Sequence, residues 1–91
     1  MDPVQSFAPG VVADIIRRQP PSPGKTAFAW SVAVGPALAR VTTVELRNQN
    51  LIVMARDTRW QRELERARDT ILVRVQLLLG KDVVKGLYIN A

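Results

Sequence analysis

The sequence predicts an α+β domain with the element order α-α-β-β-α-β. Three observations support this prediction. Apolar residues recur at helical spacing through the first third of the chain, and they alternate with polar residues from Val41 to Arg47. An asparagine-rich turn then separates this strand from a second apolar run. Helical spacing returns from Arg59 to Leu79, which predicts one long helix that packs across a three-stranded sheet.

The first predicted helix runs from Pro9 to Arg18, because Val12, Ile15 and Ile16 fall on one side at helical spacing. A proline-rich stretch, residues 20–23, ends this helix and forms a stiff connector. We therefore expect a single domain over residues 1–91, in which residues 1–24 are the N-terminal helix and connector and residues 25–91 are the core.

The second predicted helix runs from Lys25 to Val34, with Ala27, Trp30 and Val34 on one face. Gly35-Pro36 interrupts it, since glycine and proline are the least favourable residues inside a helix. The proline suits the first position of a further short turn.

A β-hairpin is predicted next. The strand Val41–Arg47 has one buried and one wet face, because its side chains alternate in character. Asn48-Gln49-Asn50 forms the turn, since asparagine tolerates a positive φ. The returning strand, Leu51–Arg56, is more evenly apolar and is therefore expected to be more buried. The inward residues of the first strand are Thr42, Val44 and Leu46.

The longest predicted element begins after an N-cap at Asp57 or Thr58 and ends at Gly80. Its apolar residues are three or four positions apart and form one continuous stripe. A last alternating strand follows, from Val84 to Asn90. The stripe consists of Trp60, Leu64, Ala67, Ile71, Val75 and Leu78.

The chain contains neither cysteine nor histidine. Without thiols it has no disulfides, no zinc–thiolate centre and no cysteine nucleophile, and without imidazole it lacks the commonest general base and metal ligand. We therefore expect no enzymatic activity, no metal, no cofactor and no small-molecule substrate.

The sequence gives no sign of a membrane or secretory segment. No apolar run approaches the ~20 residues that a membrane-spanning helix needs. The N-terminus lacks the basic segment of a secretory signal, and Arg17-Arg18 is followed by prolines, unlike a twin-arginine signal. We expect a cytoplasmic protein without a membrane partner.

Two motifs suggest chemistry but have simpler explanations. Gly24-Lys25-Thr26 is similar to the end of a phosphate-binding P-loop, but position 19 is Gln and no buried strand precedes the motif. The start of a helix explains it better. Glu65 and Asp69 are compatible with a two-carboxylate site, but arginines lie between them, so solvated ion pairs are expected.

The charge distribution favours a polyanionic partner such as nucleic acid. Thirteen basic residues against eight acidic ones give a net charge of +5. Several arginines lie on the side of the long helix opposite its apolar stripe, where they can follow a phosphate backbone. A solvated helix face, partly neutralised by neighbouring carboxylates, explains the same pattern equally well. The predicted nucleic-acid contacts are Arg47, Arg56, Arg59, Arg62, Arg66 and Lys85.

Trp30 and Trp60 are of a type that stacks on bases, but each lies on the apolar face of its helix, so core packing is expected. Val73 and Leu77 lie on the same side of the long helix as the arginines, further along it. Either another element covers these two residues, or they form an exposed apolar patch for a protein partner.

Three ordered blocks of the sequence resemble the DUF721 or DciA family, and together they extend over about residues 10–90. The family patterns are W-x-x-x-V-G…L-A…T, then L-x-V…s-x-W-x-x-E-L, and finally l-N-x-x-l-G…v-x-x-I-x-f. The matching segments are Trp30–Gly35 with Leu38-Ala39 and Thr42, Leu51–Val53 with Trp60 and Glu63-Leu64, and Leu77–Gly80 with Val84 and Leu87–Ile89.

The resemblance implies a KH-like domain in a bacterial protein that assists loading of the replicative DnaB-type helicase onto single- or double-stranded DNA. It implies no ATPase activity. The G-x-x-G signature of KH domains is missing from the long helix, so the backbone clamp of true KH domains is not expected. The basic tail of many members is also not expected, since the sequence stops at Ala91. Such a short member is expected to bind DNA more weakly or to make only the helicase contact.

Two other functions are compatible with the same residues. One is an RNA-binding KH-like module that acts in RNA metabolism. The other is a protein-interaction adaptor whose positive charge is incidental. Tighter binding of RNA than of DNA would favour the RNA-binding module. A protein partner other than a helicase would favour the adaptor.

Overall fold

The computed structural model describes residues 10–91, and its elements confirm the α+β class. Their order follows the predicted one, with an additional short helix before the first strand and a division of the long helix. The predicted start of the first helix, Pro9, lies outside the described residues. The elements are α1 (Gly10–Arg18), α2 (Pro23–Val34), α3 (Pro36–Arg40), β1 (Thr42–Arg47), β2 (Asn50–Ala55), α4 (Thr58–Arg66), α5 (Arg68–Leu79) and β3 (Gly86–Asn90). None of the helices within residues 10–91 combines the length and apolar character that crossing a membrane requires.

The three strands form one mixed sheet in the order β1-β2-β3. β1 and β2 are antiparallel and are joined by a two-residue turn, in which Asn48 and Gln49 have φ values of 50° and 67°. Positive φ at both central residues is the type I′ geometry, whose twist matches that of a hairpin. The predicted hairpin is therefore confirmed, with Asn50 paired in β2 rather than placed in the turn.

β3 pairs with β2 in parallel, so the chain between them must return along the whole sheet. α4 and α5 make this return. Four strand boundaries differ from the predicted ones by one or two residues. β1 begins at Thr42 instead of Val41, β2 begins at Asn50 instead of Leu51 and ends at Ala55 instead of Arg56, and β3 begins at Gly86 instead of Val84.

The sheet has an inner face towards the helices and an outer face towards solvent. Alternate residues of each strand are buried or half-buried, as the period of two requires. The inner face consists of Thr42, Val44, Leu46, Leu51, Val53, Ala55, Leu87 and Ile89. The outer face consists of Thr43, Glu45, Arg47, Asn50, Ile52, Met54, Gly86, Tyr88 and Asn90.

The helical segment predicted to pack across the sheet is present, but it is divided at Ala67 into α4 and α5. Ala67 has φ −102° and ψ 11°, and its N–H donates to the carbonyl of Leu64. The halves pack on different partners: α4 contacts β2 and β3, whereas α5 contacts α1, α2 and β3. The Arg68 guanidinium donates from Nε and Nη2 to the Leu87 carbonyl oxygen, at 3.0 and 2.7 Å, which ties the break to β3.

The predicted buried faces of the first two helices are confirmed only in part, at Ile16, Trp30 and Val34. In α1 the buried residues are Ala13 and Ile16, whereas Val12 and Ile15 are 38% and 52% exposed. In α2 the predicted inward residue Ala27 is exposed, and the buried stripe runs through Ala29, Trp30, Ala33 and Val34. Both helices nevertheless contribute to the same hydrophobic core as the sheet.

Trp30 anchors α2 to the first strand, which confirms the prediction that it is a core residue. Its side chain is 2% exposed. Its Nε1–H donates to Thr42 Oγ1 at 2.8 Å, and the Thr42 hydroxyl donates in turn to the Leu38 carbonyl oxygen at 2.7 Å. This chain of hydrogen bonds joins α2, α3 and β1, and it satisfies the polar atom of the indole where water is excluded.

Thr42→Val is expected to lower the free energy of unfolding by about 1–3 kcal/mol, because valine has the same shape but leaves the buried Trp30 Nε1–H without an acceptor. Urea denaturation followed by circular dichroism measures this loss. Thr43→Val is the matched control, since Thr43 lies exposed on the outer face. Equal losses in the two variants would contradict the hydrogen-bonded chain.

Candidate nucleic-acid interface

α4 places three arginines on one exposed helical face. Asp57 caps the helix as predicted, because its carboxylate accepts the backbone N–H of Trp60 at 3.1 Å. This cap fixes the start of α4, so Leu64 turns into the core and the opposite side faces solvent. The arginine face consists of Arg59, Arg62 and Arg66, and the exposed Arg56 lies just before the helix.

The arginines on and beside this face differ in whether their charges are paired with a carboxylate. Arg66 Nη1 is 3.2 Å from Glu63 Oε1, an ion pair between two solvated side chains that stabilises little. Arg59 lies over the Trp60 ring, with Cζ 5.9 Å from the ring centroid. Within residues 10–91, Arg56 and Arg62 form neither an ion pair nor a side-chain hydrogen bond. The face therefore offers cations to an external anion.

Arg47 and Lys85 do not join the arginine face. Arg47 ends β1 beside the hairpin turn, and the Lys85 backbone N–H donates to the Gln49 carbonyl oxygen at 2.7 Å. They share one end of the sheet, whereas the Arg56 N–H bonds the Val41 carbonyl oxygen at the other end, roughly 17 Å away. Arg47 and Lys85 therefore form a second basic surface that is separate from the arginine face. Arg47 is also paired with Glu45 at 2.9 Å.

Arg68 has a structural position that sequence reasoning missed. It is one of the arginines between Glu65 and Asp69, for which the sequence predicts solvated ion pairs. Its guanidinium instead donates to the Leu87 carbonyl oxygen, and Gln61 Nε2 donates to the Ile89 carbonyl oxygen at 3.2 Å. These two carbonyls are two residues apart on β3 and point away from β2. Side chains of α4 and α5 thus occupy the outer edge of β3. No local pattern in the sequence signals such long-range bonds.

The rejected motifs have the structures that the simpler explanations predicted. Ser22 caps α2 by accepting the Lys25 N–H at 3.0 Å, and Lys25 Nζ donates to the Gln19 carbonyl oxygen at 2.7 Å. Gly24-Lys25-Thr26 is therefore the first turn of a helix. Glu65 and Asp69 are both exposed, and the break at Ala67 places them on different helices.

Two surface clefts adjoin these elements. One, of about 450 Å³, lies along α5 beside Val73 and Leu77, which are 55% and 45% exposed. This confirms the exposed alternative of the two that the sequence allowed for these residues. The other cleft, of about 380 Å³, separates the proline connector at Pro21 and Pro23 from the edge of β1. Trp60 is half-buried against the core, so it is mainly a packing residue.

Comparison with known proteins gives one family match. The family described as "Dna[CI] antecedent, DciA" matches residues 3–89. No significant match was found among curated proteins or among solved structures. Because the family match extends over nearly all of the 91 residues, it confirms the resemblance seen in the sequence, and the chain belongs to the DciA family.

Proposed function

We propose that this protein is a non-enzymatic accessory protein that binds DNA and assists loading of a bacterial DnaB-type replicative helicase. Membership of the DciA family supports the replication role. The observation that carries DNA binding is the arginine face of α4, with Arg56 and Arg62 free of carboxylate partners among the described residues. On this proposal the protein acts in the cytoplasm, and it uses neither a metal nor a cofactor.

Binding at this face is directed at phosphates and is largely independent of base sequence. Guanidinium groups match phosphate oxygens in charge and geometry, whereas the face has no built pocket for a particular base. Arg59, Arg62 and Arg66 follow one another at three- and four-residue spacing, so they form a row along the helix. A row of cations fits a backbone of regularly spaced phosphates.

The domain is proposed to be KH-like, with a modified nucleic-acid clamp. True KH domains hold a backbone with a G-x-x-G loop between two helices. Here α4 and α5 meet at a turn with the sequence Glu65-Arg66-Ala67-Arg68, which has no glycine. Arginine side chains rather than close backbone approach would then provide the contact at this position. Single-stranded and double-stranded DNA are both compatible with such contacts.

The helicase contact is assigned to the exposed apolar surface of α5. Val73 and Leu77 are one helical turn apart and about half exposed, beside the cleft along the helix. Exposed apolar surface of this kind marks protein interaction sites in soluble proteins. α5 directly follows the helix that bears the arginines, so one continuous segment would contact both the DNA and the helicase.

Val73→Asp is expected to weaken binding to the DnaB-type helicase at least tenfold, because it places a charge in the apolar contact. Biolayer interferometry with immobilised helicase measures the loss, and oligonucleotide binding of the same variant should be unchanged. Phe28→Asp is the matched control, since Phe28 on α2 is 50% exposed. Equal effects of the two substitutions would contradict the assignment of the surface.

The exposed surface of α5 also favours a second candidate function, a protein-interaction adaptor. In that case wild type binds the helicase but no oligonucleotide, even at low salt. An RNA-binding module is the third candidate, for which tighter binding of an RNA oligonucleotide than of the same DNA sequence is the expected result.

A further inference from the structure

The outer face of the sheet has an apolar centre and basic ends. The strand register places Ile52 of β2 between Glu45 of β1 and Tyr88 of β3 in one row. Met54 follows on β2 and is 47% exposed, and Tyr88 is 52% exposed. Among the described residues, no helix packs over this row, because the helices contact the inner face.

Gly86 allows the Tyr88 ring to lie along the strand. The two residues are next to each other on the outer face, two positions apart. A Cβ at Gly86 would be 3.4 Å from Tyr88 Cε2 and 2.9 Å from Asn50 Oδ1. Gly86 has no positive φ, so the close approach of these side chains, and not the backbone, favours glycine here. The Tyr88 ring therefore lies close to Gly86, while about half of the residue remains exposed.

Basic side chains lie at both ends of this face. Arg47 occupies the row of Asn50 and Gly86 at the hairpin end. At the other end, Arg56 lies two residues after Met54 and therefore on the same, outer side. Its N–H donates to the Val41 carbonyl oxygen at 2.8 Å, which extends the pairing of β1 and β2 by one residue. The single carboxylate of the face, Glu45, is 2.9 Å from Arg47, so its charge is compensated. The remaining charge, that of Arg56, is positive.

We propose that Tyr88 is a base-stacking platform for single-stranded nucleic acid. An exposed aromatic ring stacks on any base, and the uncompensated Arg56 at one end of the face is placed to contact a neighbouring phosphate. The positive balance of the face suits a nucleic acid better than an acidic protein surface. A duplex keeps its bases stacked on one another, so it offers no free base to the ring. The proposal rests on the proposed function, and it adds a contact that selects unpaired strands.

Tyr88→Leu tests the platform, because leucine keeps the apolar bulk but removes the aromatic face. Fluorescence anisotropy with a labelled single-stranded oligonucleotide is expected to show about fivefold to 100-fold weaker binding for this variant. Tyr88→Phe, which keeps the ring, should bind like wild type. The log–log dependence on salt should keep the wild-type slope in both variants, since no phosphate contact is lost. Binding of the matching duplex should be unchanged.

The outcomes separate this inference from the function on which it rests. If wild type binds the oligonucleotide and Tyr88→Leu binds it equally well, the platform is wrong while DNA binding stands. A parallel loss of duplex binding, or a loss in Tyr88→Phe as well, also overturns stacking. If wild type binds no oligonucleotide at low salt, both proposals fail. Weaker helicase binding by Tyr88→Leu with unchanged oligonucleotide binding would instead identify the outer face as a protein contact.

Discussion

Trp30→Ala is expected to lower the free energy of unfolding by about 3–5 kcal/mol, which is a large part of the ~5–15 kcal/mol that stabilises a typical domain. Trp30 is almost fully buried among the residues of α2, α3 and β1, so its removal leaves a cavity that its neighbours fill poorly. Its loss also leaves the Thr42 hydroxyl without the indole donor. Urea denaturation followed by circular dichroism measures the change.

Trp60→Ala is the internal comparison for this prediction. Trp60 also belongs to the apolar stripe seen in the sequence, and a fully buried tryptophan there would contribute about 3–5 kcal/mol. The structure leaves Trp60 half-buried, with Arg59 over its ring, so a smaller loss than for Trp30→Ala is now expected. A loss for Trp60→Ala equal to or larger than that for Trp30→Ala would show that the core is packed differently.

Replacing Arg59 and Arg62 together by glutamate is expected to weaken oligonucleotide binding by at least ~100-fold at low salt. Hydrogen bonds to charged groups contribute about 1.5–3 kcal/mol each, and every 1.4 kcal/mol is about tenfold in affinity. The log–log salt dependence should also become shallower by about 1.4 on single strands, at ~0.7 for each of the lost phosphate contacts. A salt titration of fluorescence anisotropy measures both quantities.

Arg17→Glu with Arg18→Glu is the matched control, because it makes the same change of net charge on the exposed end of α1. It should weaken binding far less and leave the salt slope unchanged. Thermal stability of both double variants should stay close to that of wild type, since exposed helix charges contribute little to folding. Coincident titrations of wild type and the Arg59/Arg62 variant would mean that the arginine face is simply solvated.

Features of the fold that depend on local chemistry were predictable from the sequence. The hairpin followed from alternation and from Asn48, which tolerates positive φ, and the cap at Asp57 followed from its side chain. The break at Ala67 was not predictable, because alanine and arginine are good helix formers. Tertiary contacts cause the break. α4 packs on β2 and β3, whereas α5 packs mainly on α1 and α2, and Arg68 donates to a carbonyl oxygen 19 residues away.

The buried faces of short helices were only partly predictable. α1 carries apolar residues on several sides, so periodicity alone could not choose between Val12 with Ile15 and Ala13 with Ile16. The choice depends on how α1 lies against α5, which is long-range information.

The candidate site was predictable where it follows helical spacing and not where it depends on the sheet. The row of Arg59, Arg62 and Arg66 followed from the sequence alone. The separation of Arg47 and Lys85 from that row required the strand register, which places them at the hairpin end. The outward position of Tyr88 follows from the alternation of the last strand, but its place beside Ile52 required the register between β2 and β3.

The two edges of the sheet have unequal capacity for further strand pairing. On β3 the outward carbonyls of Leu87 and Ile89 already accept bonds from Arg68 and Gln61, whereas β1 borders an open cleft and prolines that have no N–H to donate. Fibril growth requires two free edges on every copy, and the sheet formed by residues 10–91 has one. Two copies that met edge to edge through β1 would form a closed two-fold pair and stop there. At high concentration, self-association through strand pairing would therefore end at a dimer, for as long as α4 and α5 stay in place.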